Sequence, residues 1–328
     1  MTGQPMLQRR TLVGLSTALL LGISAGTHAQ TTYPTKPVKF VVAFAPGGPA
    51  DIIARLLGQR LSESLGQPVV VENRAGAGGN VASGIVSKAA PDGYTLMVNT
   101  SSLAVNVSLS KNPGFDAEKD FTLASVVASS PNLLVAYPGL KAQNLQEVVA
   151  EAKSGKLNYG TAGAGTTPHL TAEYLFKVLA KVDVTHIPFQ GAGPALNATL
   201  GGQVEMASVA LPAAVEMVKG GKVRGLAVTS NKRVAALPDV PTVAESGFPG
   251  FEDYTWVGVF APSKTPAEVV QHLNSEINKI LRSADFQAKL AGVGFEPVGG
   301  STKEVADYLK TELAKWAKVV KETGTKVE

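Results

Sequence analysis

Short unbroken apolar runs alternate along the chain with apolar residues at helical spacing. Phe40-Val41-Val42-Ala43-Phe44 is rich in β-favouring residues and reads as a buried strand. The turn APGGPAD follows, and then Ile52, Ile53, Leu56, Leu57, Leu61 and Leu65 mark a helix. The order recurs at once: a strand at 68–71, the loop NRAGAGGN, a helix from Val81 to Ala89, the turn PDG and a strand from Tyr94 to Val98. A second series begins after Ser129-Ser130-Pro131. It runs through a strand from Leu133 to Ala136, a helix from Leu145 to Ala152, and Leu157-Asn158-Tyr159 leading into GTAGAGTTPH. A helix from Leu170 to Leu179, the strand VDVTHIPF, the loop QGAGP, a helix from Ala195 to Leu200 and a strand from Val204 to Val209 follow. Strands alternating with helices predict a mainly parallel sheet covered on both faces.

QPVVVENRAGAGGNVASGIVSKAAPDGYTLMVNTSS and VDVTHIPFQGAGPALNATLGGQVEMASVALPAA share one grammar of strand, G-A-G loop, helix, turn and strand. This predicts two lobes of similar construction; the period is too irregular for a solenoid. After a strand over 223–228, the stretch 231–253 is rich in Pro and Gly. A strand from Trp256 to Phe260 and helices over 268–281 and 303–321 complete the chain. A tail returning to the first lobe would give two connections between lobes, an arrangement suited to hinge closure on a ligand. The expected divisions are a signal peptide at 1–29, the first lobe at 30–130, the second at 131–252 and the return of the first at 253–328.

The amino-terminal pattern differs. Arg9 and Arg10 precede a short apolar run from Leu12 to Ile23, and Thr27-His28-Ala29 offers a small-residue cleavage site. This is the layout of a secretory signal, exported by the general or the twin-arginine route. Removing it lowers the formal charge from +4 to +2, because both arginines leave with no acidic residue. With no basic stripe interleaved with aromatics, nucleic acid is not an expected partner. The chain has no cysteine, so disulfides and thiolate metal sites are excluded.

Four glycine-rich loops each follow a predicted strand and precede a helix: 45–51, 73–80, 160–169 and 190–194. In open α/β sheets such loops form the ligand crevice, and helix amino-termini there favour anions. GTAGAGTT has the glycine spacing of a phosphate loop, but Thr166 stands where that loop needs lysine. A dinucleotide fingerprint is also missing. Arg74 is the one cation in the four loops, so a carboxylate held by N–H groups and the Thr166 and Thr167 hydroxyls fits better than a nucleotide with magnesium. No nucleophile elbow, H-E-x-x-H motif or catalytic cysteine is present. His169, at the first turn of a helix, either touches the ligand or braces its loop; Asp51 is expected to cap backbone N–H groups.

FAPGGPAD, VVVENRAGAGGNVA, PDGYTL, GTAGAGTTPHLTAEYLF, IPFQGAGPAL, LGGQVEMA and LPDVPTVAESGFPG, in this order over nearly the whole mature chain, resemble the Bug-type periplasmic receptors of tripartite tricarboxylate transporters. The resemblance implies an α/β type II periplasmic binding protein fold, two α/β lobes with a ligand cleft between them. It implies a non-enzymatic monomer that captures a small carboxylate (a di- or tricarboxylate, an acidic amino acid or an aromatic acid) without cofactor or metal and delivers it to the transporter's membrane subunits. Carried over residue by residue, Pro46, Gly47, Gly48 and Asp51 form the first loop. Ala75, Gly76 and Ala77 flank it, with Thr100 and Ser101 from the next strand end. Thr161, Gly163, Thr166, Thr167 and His169 supply the second lobe's carboxylate grip, with Gly191 and Ala192 beside it. Gln190, and Ser208 with Val209, depart from the family pattern and bear on ligand choice. The alternatives are a receptor for a sensor kinase, or an enzyme acting on an organic acid through a residue such as His169.

Overall fold

The computed structural model describes residues 1–2, 33–110 and 112–326. The export signal read at 1–29 therefore lies, apart from Met1 and Thr2, outside the described residues.

Strand β1 (Val38–Val42) leads into helix α1 (Pro49–Leu65), whose start is fixed by Pro49 at its first position and whose end is set by Gly66 at φ 66°. Ile53, Ala54, Leu57 and Leu61 form its buried stripe, and each large side chain is worth about 2 kcal/mol on burial. β2 (Val69–Asn73), α2 (Asn80–Val86), β3 (Thr95–Thr100) and α3 (Ser102–Leu109) complete the first series. A long strand, β4 (Phe121–Ala136), follows, then α4 (Leu145–Ser154), β5 (Asn158–Thr161) and α5 (Thr167–Glu173), which continues as a π-helical turn over Tyr174–Leu179. β6 (Thr185–Pro188), α6 (Ala192–Leu200), β7 (Met206–Ala210), α7 (Leu211–Lys219) and β8 (Arg224–Val228) make up the second series. The chain returns through β9 (Tyr254–Pro262), α8 (Ala267–Arg282), α9 (Ala284–Gly292), the short β10 (Glu296–Pro297) and α10 (Thr302–Thr323).

The strands pair in the order β2-β1-β3-β9-β4 in the first lobe and β6-β5-β7-β4-β8 in the second. In both, the first three are parallel to one another and the fourth runs against them. The two lobes thus repeat one topology, as the shared strand and G-A-G grammar predicts. β4 serves both: Phe121 to Pro131 pair with β9, and Asn132 to Ala136 pair with β7 and β8.

Four features differ from the pattern-based expectation. β4 is continuous from Phe121, where the sequence suggested a strand beginning only at Leu133; Pro131, which reads as a break, sits where the strand changes partners and one N–H is dispensable. α3 escapes a periodicity reading because five successive residues, Ser102 to Asn106, are buried and one of its two exposed residues is the apolar Val107, so no apolar stripe stands against a polar side. α7 follows β7 with no turn residue between them, and α9 is separated from α8 by Ser283 alone. The apolar runs therefore merge across each junction.

The stretch LPDVPTVAESGFPG runs beside β8, where Thr242 bridges Val228 and the Val243 N–H donates to the Val228 carbonyl at 2.8 Å. It thereby covers an exposed sheet edge before the chain crosses back at Asp253. α10 starts with a capping box between Ser301 and Glu304 and packs on α3, on β4 and on α5. Among the described residues no helix is long and apolar enough to cross a membrane.

Candidate functional site

Between the lobes lies a cavity of about 20 Å³, room for about one water. The loops at the carboxyl ends of the strands close around it, so a larger ligand enters only if the lobes part. Four helices of eight residues or more begin at its wall: α1 through Gly48 and Pro49, α3 through Ser102, α6 through Ala192 and α7 through Ala210. First-turn N–H groups have no acceptor within their own helix, and four positive helix ends around one space favour an anion. Thr100, Thr166 and Thr255 also line it, with their hydroxyls donating to Ser102 Oγ at 2.8 Å, the Gly163 carbonyl at 2.8 Å and Asn132 Oδ1 at 2.7 Å, while Phe44, Ala162 and Pro168 supply apolar surface. Among the described residues no ionised side chain lines the cavity.

Of the residues expected from sequence, Gly48, Thr100, Thr166 and Ala192 line this space. The others are placed around it in supporting positions. Asp51 accepts from the Gly47 N–H at 3.0 Å and from Asn73 Nδ2 at 3.0 Å, and pairs with Arg55. Burial opposes its charge, but these donors outweigh that and hold the carboxyl below its usual range. It thus caps the loop that contains Pro46. Thr161 braces its own loop, donating to the Gly163 carbonyl at 3.1 Å and accepting from the Gly163 N–H at 3.2 Å. Ser101 and Thr167 share a hydrogen bond with each other, one from each lobe. Ala75, Gly76 and Ala77 form the β2–α2 loop, and Gly191 stands against Ala45, whose N–H donates to the Gln190 carbonyl at 3.2 Å. Arg74 is half exposed and pairs with Glu72.

His169 takes the bracing position of its two expected uses. It is 4% exposed, and its Nδ1 accepts from the Gly165 N–H at 3.2 Å. Its ring stacks on His186, whose Nε2 lies 2.7 Å from the Thr161 hydroxyl. Burial, with the Lys177 charge behind it, pushes His169 down to about 4. Burial and then His169 push His186 down to about 3. Both rings are therefore neutral at ordinary pH. Below them the buried Glu173 accepts from Tyr159 Oη at 2.6 Å and meets Lys177. Burial, with the Glu173 charge, pushes the Tyr159 phenol well up.

Sequence reasoning missed Phe44, Pro49, Ser102, Ala162, Pro168, Ala210 and Thr255 as wall residues. Ser102 and Ala210 had a usable signal, since each lies at the junction of a strand and the helix that follows it. Thr255 had none, because only the return crossing brings it to the cavity.

A sheet repeated in two lobes, with helix starts converging on the space between them, defines a type II periplasmic binding protein. The profile of the tripartite tricarboxylate transporter family receptor matches residues 53–325, and the chain belongs to that family. The fold is similar to that of the periplasmic binding protein BugD, at 34% identity and a TM-score of 0.86 over 90% of this chain and 100% of that one. It is similar to Rpa4515 of R. palustris, solved with adipate, at 37% identity and a TM-score of 0.86 over 89% of this chain and 98% of that one. MatC of Rhodopseudomonas palustris, solved with malate, is 35% identical with a TM-score of 0.83 over 88% of this chain and 100% of that one.

Proposed function

We propose that this chain is an exported receptor that captures a small carboxylate in the periplasm and hands it to the membrane subunits of a tripartite tricarboxylate transporter, without catalysis. The observation that carries the reading is the cavity wall, where four helix starts surround a space that no ionised side chain among the described residues enters. Such a wall suits an anion of low charge density, held by backbone N–H donors at the helix starts. A nucleotide with magnesium would need a cation and metal-binding carboxylates, and neither lines the cavity. The adipate and malate bound by Rpa4515 and MatC support a carboxylate ligand.

The proposed contacts are Gly48, Thr100, Thr166 and Ala192 at the wall, with Pro46, Gly47, Asp51, Ala75, Gly76, Ala77, Ser101, Thr161, Gly163, Thr167, His169 and Gly191 as the loops that carry and brace them. The proposed lobe divisions fall at 130/131 and 252/253, beside the two crossings, with 1–29 removed on export. A melting screen over di- and tricarboxylates, acidic amino acids and aromatic acids tests the reading. An acid at about a hundredfold its dissociation constant should stabilise by about 2.7 kcal/mol and be recovered unchanged. A response to magnesium nucleotides alone, or chemical turnover of the acid, would refute it.

A further inference from the structure

Asn106, on α3 of the first lobe, is 2% exposed and does not line the cavity. Its Nδ2 faces three carbonyl oxygens: Ser102 in its own helix at 2.9 Å, Gly78 in the β2–α2 loop at 3.1 Å, and Gly165 in the β5–α5 loop of the second lobe at 3.2 Å. Two amide protons serve three acceptors, so the side chain is a junction for loops from both lobes. When the lobes part, the Gly165 carbonyl leaves this junction.

The glycines around Asn106 are there because the lobes approach so closely. Gly165 has φ +79°, and a Cβ on it would collide with Asn106 Oδ1. Gly78 has φ +62°, and a Cβ on it would collide with the Ala164 carbonyl across the gap. Flanking this point, Ser101 bonds Thr167 and the Ala45 N–H reaches the Gln190 carbonyl. Each of these is a protein–protein contact between lobes, and none of Asn106, Gly78, Gly165, Ser101 or Thr167 lines the cavity.

We propose that Asn106 is a positioning residue for closure: its amide ties the Gly78 loop to the Gly165 loop and so holds the two lobes together around the ligand rather than through it. The closed fraction then belongs to the protein, and apparent affinity scales with it. The proposal rests on the two-lobe fold and is independent of which acid binds.

The absence of cysteine lets Gln59→Cys and Asn197→Cys, both at exposed positions on α1 and α6, accept spin labels cleanly. Electron–electron distances would be measured in the full mature chain without added acid and with adipate as the probe. Asn106→Asp keeps the shape but cannot donate, and Asn106→Ala removes the junction with less risk of charge burial. In both, the short interlobe distance should give way to longer ones while circular dichroism stays that of a folded chain. Gly78→Ala, which wedges the same contact from outside, should do likewise. An unchanged distance distribution in either folded Asn106 variant would overturn the proposal. If adipate and the other acids of the screen leave the parent protein unaltered, the carboxylate reading fails while the Asn106 result stands.

Discussion

His169 stacks on His186 with ring centroids 3.9 Å apart and 22° between the planes, directly beneath the loop that reaches the cavity. His169 takes the Gly165 N–H, and His186 meets Thr161, so the pair sets the loop's shape from below. A cation on either ring would be buried beside the other.

Stability should therefore fall in acid. The unfolded chain takes up protons as pH drops through about 6.5, whereas folded His169 holds off until about 4 and His186 until about 3. Stability from this source is complete above about pH 6.5 and is lost progressively down to about 4 for His169, by about 3 kcal/mol, and on to about 3 for His186. Urea midpoints from pH 7.5 to 4.5 should show the decline, and His169→Gln combined with His186→Gln should flatten it. An equally steep decline in the double variant would place the acid sensitivity elsewhere.

Thr166 lines the cavity, whereas Thr167 bonds Ser101 away from it. Thr166→Val removes the hydroxyl that donates to the Gly163 carbonyl at 2.8 Å and holds the cavity-facing loop, and should weaken binding of the best acid in the melting screen by about tenfold, the worth of one hydrogen bond. Calorimetric titration checks this, and full affinity in the variant would remove the hydroxyl from the site. Because no ionised side chain lines the cavity, that affinity should change little between low salt and ~0.5 M salt.

Asp253 stands where the chain crosses back between lobes. Its carboxylate meets Thr171, accepts from Asn132 Nδ2 at 3.1 Å and pairs with Lys315 at 3.1 Å. Burial pushes its carboxyl up, against the pull of Lys315. Asp253→Ala should destabilise by about 1–3 kcal/mol, since the buried Asn132 and Thr171 donors each lose one of two acceptors, while Lys315, 41% exposed, keeps Glu312 at 4.0 Å. Asp253→Asn, which keeps the acceptor oxygen, should cost less; equal urea midpoints for wild type and Asp253→Ala would show the network to be dispensable.

Both tryptophans of the chain report on one carboxylate. Trp256 Nε1 and Trp316 Nε1 donate to Glu312 Oε2 at 2.8 and 3.0 Å, joining β9 to α10. Glu312→Leu should leave two buried indole donors unpaired, lowering stability by about 1–3 kcal/mol each. Intrinsic fluorescence should change in step, and an emission spectrum identical to the parent's would argue that the two indoles have other partners.

The α/β alternation and the glycine loops were legible in sequence because strand and helix periodicities are local, and because glycine marks turns that other residues resist. Asp51 as a cap was legible for the same reason, since its partner Gly47 lies four residues away. The unbroken course of β4 was not, because Pro131 breaks a strand in isolation and is tolerated only where the strand changes partners. His169 could be placed at the start of its helix, but its bracing role depends on His186, which a separate strand brings beneath it.

The sequence by itself determined the order of elements, the repeated lobe grammar and the scarcity of cations in the loops, all of which depend on residues close in the chain. Only the tertiary structure decided which loop residues face the cavity and which face each other. Thr166 and Thr167 are neighbours of the same chemical type, yet one lines the cavity wall and the other bonds Ser101 of the opposite lobe. That choice is made by the approach of two segments more than sixty residues apart, which local pattern does not encode.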